Sequence, residues 1–101
     1  MKVWVDADAC PAAIKELIIR AAERRQVATV FVANKIIALP SSPYLSRVQV
    51  ADGADVADRH IIEAAAAGDI VVSQDIPLAA ALVPRGIAVI DPHGRLLSGS
   101  N

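Results

Sequence analysis

A single cysteine, Cys10, in a chain of 101 residues excludes an internal disulfide framework. Aromatic residues are scarce as well. Trp4, Phe31 and Tyr44 are 3% of a chain that is 54% hydrophobic, so alanine, valine, isoleucine and leucine must build the core. The same scarcity removes the aromatic platform on which single-strand binders stack bases. No apolar run approaches the ~20 residues of a membrane span, which excludes a membrane partner of that kind. Lys2 is followed at once by a short strand-like run and two aspartates, which does not fit a signal peptide. The expected location is therefore cytoplasmic. Positive charge is not in excess: ten Lys and Arg stand against eleven Asp and Glu, for a net charge of −1. Lys15, Arg20, Arg24, Arg25 and Lys35 form a modest cluster, not the strong basic surface of a sequence-independent duplex binder. His60 and His93 lack metal-ligand spacing with each other or with Cys10, which argues against zinc.

What the chain does contain is a regular alternation of short apolar runs and helical stretches, sized for one domain over 1–101. Residues 2–5 read as a buried strand. Pro11 suits the first turn of a helix, and Ile14, Leu17, Ile18, Ala21 and Ala22 continue at helical spacing to about residue 25. Residues 28–33 and 47–50 read as strands, with a loop around Pro40 and Pro43 between them. Asp52 is placed to cap a second helix with Ile61, Ile62, Ala65 and Ala66 inward, and Gly68 to stop it. Residues 69–72 and 87–90 supply two more strands around a short helix opened by Pro77, and residues 95–97 suggest a last short strand after a turn at 91–94. The expected fold is α/β: three layers, with a mostly parallel five-stranded sheet flanked by helices.

Aspartates gather where such a sheet binds ligands, at the carboxyl ends of its strands. Val3-Trp4-Val5 runs into Asp6-Ala7-Asp8, and Ile70-Val71-Val72 runs through Ser73 and Gln74 into Asp75. Asp55 and Asp58 lie one helical turn apart near the start of the second helix. Carboxylates held together repel one another, and a cation offsets that cost. Asp6 and Asp8, two apart, can reach one cation if the strand stays extended. If the backbone turns after Asp6, Asp8 instead braces the loop or caps the first helix. Asp75 can cap the helix at Pro77 and serve a site as well. Asp55 has the helix dipole as an ordinary explanation; Asp58 lies further in and is the stronger candidate. Ser73 and Gln74 are candidate hydrogen-bond donors to the cluster. Asp69, at the amino end of its strand, reads as structural, and Cys10 as a buried small hydrophobe. The candidate metal set is thus Asp6, Asp8, Asp55, Asp58 and Asp75, and the candidate catalytic set Asp6, Asp8, Asp58 and Asp75. All-oxygen donors match Mg²⁺ or Mn²⁺.

Val5-Asp6-Ala7-Asp8-Ala9-Cys10-Pro11 resembles the signature of the YaiI/YqxD family of bacterial proteins. Gly53 to Asp58 and the long stretch from Gly68 to Ala79 agree in order and spacing, and Asp91-Pro92-His93-Gly94 resembles that family's asparagine-proline-arginine-glycine turn. The resemblance implies a PIN-like domain, a group with many metal-dependent ribonucleases. It maps the expected acids onto Asp6, onto Asp58 or Asp55, and onto Asp75, with Asp8 as a family-specific addition. It also implies a helical, charge-rich region after the Asp91 turn. A short variant or a truncated chain would lack that region, and with it a basic substrate surface and the cover on one sheet face. A second copy would then cover the exposed patch as a homo-oligomer. The leading expectation is a Mg²⁺- or Mn²⁺-dependent phosphodiesterase acting on RNA. A non-catalytic metal- or nucleic-acid-binding regulatory module is the alternative. A haloacid-dehalogenase-like phosphatase, with Asp6 as nucleophile and Asp8 as acid/base, is weaker because no lysine follows Lys35.

Overall fold

In the computed structural model, which describes residues 1–53 and 55–98, β1 (Val3–Asp6) runs into a 3₁₀ turn (Ala7–Ala9) and then α1 (Ala12–Arg25). β2 (Thr29–Ala33) and β3 (Leu45–Gln49) follow, joined by an irregular segment, then α2 (Val56–Ala64), β4 (Ile70–Val72) and α3 (Ile76–Leu82). A 3₁₀ turn (Val83–Arg85) leads to β5 (Ala88–Ile90) and β6 (Leu96–Leu97). Among the described residues six strands form one sheet in the order β3-β2-β1-β4-β5-β6. Five are parallel, and β6 returns antiparallel to β5 through Val89↔Leu97 and Ile90↔Leu96. The sheet therefore has one strand more than the five expected. The turn at Asp91 is tight enough to fold Leu96–Leu97 back as an edge.

The chain first builds outward from β1 to β2 and β3, then crosses back to place β4 on the other side of β1. Right-handed crossovers going in opposite directions must put their helices on opposite faces. Two apolar clusters reflect this. Trp4, Val30, Val32, Val71 and Val89 pack with Ile61 of α2 and Leu78, Ala79 and Leu82 of α3. The other side chains of the same strands, Val5, Phe31 and Ala33, pack with Ile14, Ile18 and Ile19 of α1. The α1 stripe centres on Ile18 and Ala22; Leu17, expected inward, falls to its side and is 57% exposed.

Local sequence explains the helix ends. α1 stops at Gln26, which takes a left-handed φ of 57°, with Arg24 and Arg25 favourably placed in the last turn. α2 differs from expectation at both ends. Its cap position is Asp55, not Asp52, and it ends at Ala64, before Gly68. Arg85 closes it, donating from Nη1 to the Ile62 carbonyl at 2.7 Å and from Nη2 to the Ala65 carbonyl at 2.8 Å. Gly68 instead turns the chain into β4 at φ 89°. At this amino edge the Asp69 carboxylate accepts three N–H groups: Lys2 at 2.9 Å, Trp4 Nε1 at 3.1 Å and Ala66 at 2.9 Å. It ties the N-terminal strand to the α2–β4 turn, the structural role expected of it. Among the described residues no helix is long and apolar enough to cross a membrane.

Candidate functional site

The direction of chain progression reverses between β1 and β4, so a crevice opens outside their carboxyl ends, where sheets of this kind take ligands. β1 delivers Asp6 to this crevice, and the segment after β4 delivers Ser73 and Asp75. The N-terminal turn of α2 delivers Asp55 and Asp58. The crevice holds about 260 Å³ and is lined by Asp6, Asp8, Asn34, Asp55, Asp58 and Asp75, among others. All five candidate carboxylates therefore border one pocket.

Their surroundings differ. Asp6 is half-buried at the end of β1. Burial pushes its carboxyl above the usual range, the Ser73 hydroxyl pulls the other way, and the charges of Asp8 and Asp75 push it up further. Ser73 is 2% exposed and anchored to β5 by its own N–H to the Ile90 carbonyl. Its Oγ donates to Asp6 Oδ2 at 3.4 Å and accepts from the Asp75 N–H at 3.1 Å, so one buried hydroxyl sets the spacing of two carboxylates. Gln74, its companion candidate, is exposed and does not line this pocket.

Asp75 caps α3 by accepting the Leu78 N–H on Oδ1 at 3.0 Å, with Pro77 in the first turn. Asp58 lines the same pocket wall beside it. Asp58 is half-buried in the first turn of α2. Its carboxyl is pushed up to about 7, by burial first, then by the neighbouring Asp75 carboxyl, then by the charges of Asp6 and Asp55.

Asp8 takes the second of its two expected roles in part. The backbone turns after Asp6 into the 3₁₀ segment, so the extended geometry that would aim both at one point is absent. Asp8 does not cap α1, whose cap position is Pro11. Its Oδ2 accepts the Asn34 N–H at 2.7 Å instead and braces the end of β2. Asp55 is exposed, sits at a left-handed φ of 67°, and makes no side-chain cap bond. The loop before it turns at Gly53, where φ is 134° and a Cβ would meet Val56 Cγ2 at 3.2 Å. Arg59 forms an ion pair with neither Asp55 nor Glu63; among the described residues the ion pair is Arg95 with Asp91. Asp58 is therefore the better-placed member of the helical pair.

Among the described residues no three His, Cys, Asp or Glu side chains already stand in cation-binding positions. The carboxylates ring the pocket without converging on one point. The donor set is nonetheless all oxygen, which fits a hard divalent cation, and Asp6, Asp58 and Asp75 are its half-buried members. Cys10 is buried with its thiol pushed up by burial, against the pull of Lys15, and it does not line the pocket. His60 packs edge-on against Trp4 at 6.2 Å. Asn34 is the pocket residue that sequence patterning missed. Its only signal is its place just beyond the end of β2, and that strand's position beside β1 is a property of the folded sheet.

The model of the "Uncharacterized BCR, YaiI/YqxD family" matches residues 4–101. A "UPF0178 protein" of Myxococcus xanthus is 55% identical over 101 residues, all of this chain and 66% of its own length. Another, of Dechloromonas aromatica, is 52% identical over all of this chain and 67% of its own length. The chain spans about two thirds of the length of the curated relatives it matches. No solved structure matches it.

Proposed function

The chain belongs to the YaiI/YqxD family, and from that footing we propose that it is a PIN-like, divalent-metal-dependent phosphodiesterase acting on RNA. One observation carries the proposal: four further carboxylates surround Asp58 in one crevice at the sheet's reversal point, and its carboxyl is pushed up to about 7. Perturbed acids in a crevice are candidate functional groups because the fold gains nothing structural from their repulsion. Asp6, Asp58 and Asp75 would hold Mg²⁺ or Mn²⁺, with Asp8 and Asp55 at the rim. Such a cation supplies charge stabilisation at phosphate oxygens and acidifies water.

The chain's own groups set the geometry. Ser73 fixes Asp6 and Asp75 relative to each other. The cap bond holds Asp75 to α3, so one of its oxygens is committed to the fold and the other is left for a ligand. Asp58 must release its proton before it can act as an anionic ligand, which makes metal binding pH-dependent.

The test is Mn²⁺-dependent cleavage of a single-stranded RNA. Activity should fall by at least ~100-fold in Asp6→Asn and in Asp75→Asn, since charge stabilisation of this kind contributes several kcal/mol. Unchanged cleavage by either variant would remove the assignment. Mn²⁺ binding without turnover of RNA or DNA would support the alternative, a non-catalytic binding module.

A further inference from the structure

A second concavity begins one residue along the chain from the carboxylate pocket, at Lys35. It lies between α1 and the irregular segment after β2 and holds about 340 Å³. Lys15 stands on the α1 wall and Lys35 on the opposite wall, above a floor that includes Ile19, Ile37 and Leu39. Glu16 is on the rim, yet neither lysine forms an ion pair with it or with any other carboxylate among the described residues. The outer wall is held in place, because Arg47 Nη1 donates to the Ile37 carbonyl at 2.7 Å. The groove and the pocket are continuous along the chain. Asn34 lines the pocket and donates to Asp8, and Lys35 is the next residue. Beside it Ile36 is 75% exposed, a large apolar side chain held in water with no packing role in the core.

We propose that this groove binds a segment of single-stranded polynucleotide, with Lys15 and Lys35 each holding a phosphate and Ile36 lying against a base. The proposal rests on the phosphodiesterase reading for its purpose: a strand held here passes its next linkage over the aspartate pocket. Charge complementarity selects the occupant. Two unpaired lysines line the groove with an apolar floor between them, which fits a ligand that carries both anionic and apolar groups. A stacked duplex keeps its bases from such a floor, whereas a single strand presents them.

The experiment is metal-independent, so its outcome is separate from that of catalysis. Binding of fluorescent oligouridine and oligodeoxyuridine strands of about twelve nucleotides, and of a duplex of the same length, is measured by anisotropy in EDTA across a salt series. Each phosphate contact on a single strand contributes roughly −0.7 to the slope of log K against log salt. Lys15→Gln/Lys35→Gln should make the slope about 1.4 shallower, which cuts the affinity lost between 50 and 200 mM salt by about sevenfold. Arg24→Gln/Arg25→Gln, an equal charge loss at the other end of α1, should leave the slope in place. Asp75→Asn should bind at least as well as the native chain. Preference between the two strands then reports whether the ribose hydroxyl is read. An unchanged slope in the lysine variant, an equal change in the arginine variant, no binding by the native chain at low salt, or preference for a duplex would each overturn the groove. A native chain that binds but does not cleave would overturn only the catalytic reading.

Discussion

The two edges of the sheet hold the same residue type in opposite states. At the amino edge Asp69 is buried, a penalty that pushes its carboxyl up. Hydrogen bonds from Ala66, Lys2 and Trp4, with the nearby N-terminal charge, outweigh that penalty and hold it below the usual range. At the carboxyl edge Asp6 and Asp58 are pushed up, because burial there is met by few donors and by further carboxylates. Asp91, in the β5–β6 turn, resembles Asp69: N–H groups of Arg95 and His93 hold it down, against burial. The lesson concerns donors. The fold supplies several N–H groups to each aspartate it uses as a strut, but a single one to Asp8 and to Asp75 in the crevice, where acceptor capacity remains that a cation can meet.

The largest expected effect falls on the strut. Asp69→Ala leaves the buried Trp4 Nε1 and two backbone N–H groups without their acceptor, and should cost about 3 kcal/mol of stability in urea unfolding. A loss below about 0.5 kcal/mol would mean that water replaces the carboxylate and that the contrast between the edges is overstated.

pH sharpens the comparison. A carboxyl raised in the folded state binds its proton more tightly there than in the unfolded chain. Its contribution is present below the unfolded value and lost as pH rises through the folded one. For Asp58 that window runs from the ordinary value of 3.8 to about 7. Asp69 and Asp91 have the opposite sign, and their contributions fade only as pH falls below 3.8. With a chelator present, the native chain should melt at a higher temperature near pH 5 than near pH 8, and Asp58→Asn should flatten that slope. A native chain whose melting temperature is level over this range would show that Asp58 titrates normally.

Ser73→Ala probes how the crevice is held. Loss of the hydroxyl should cost about 1 kcal/mol and weaken Mn²⁺ binding by about tenfold, as removal of a group that orients ligands does. Titration calorimetry that finds equal affinity in the variant would make Ser73 a structural serine only. The smallest effect is expected at Leu17, which lies outside the α1 stripe: Leu17→Glu should change stability by no more than about 0.5 kcal/mol.

Much of this was legible in the sequence because apolar periodicity marks β1, β2, β4 and α1, and because an aspartate before Ile76-Pro77 has one obvious local use. That Asp75 caps α3 followed from its place two residues before Pro77. The misplacement of α2's cap has a physical cause. Gly53 and Asp55 take left-handed backbone conformations, so the chain makes an extra turn that no hydrophobic pattern records, and Asp52 is left outside the helix. β6 lies where residues 95–97 suggested a last short strand, but two residues carry no period, so its place as a sixth strand of the sheet was not legible. Asn34 could not be found at all: it meets Asp8 across 26 residues only because β2 lies beside β1. The gathering of Asp6, Asp58 and Asp75 depended equally on strand order, yet it was anticipated, since carboxyl ends of parallel strands share an edge whatever their order.

The central claim is that the crevice carboxylates are a cation site. The most direct test is the melting temperature near pH 8 with and without Mn²⁺, for the native chain, Asp75→Asn and Asp58→Asn. Asparagine can still cap α3, so the first variant removes charge and keeps the fold. A cation bound only by the folded state adds about 2.7 kcal/mol at one hundred times its dissociation constant. The account predicts a Mn²⁺-dependent rise in the native chain that disappears in both variants. No rise in the native chain, or an equal rise in all three proteins, would contradict it.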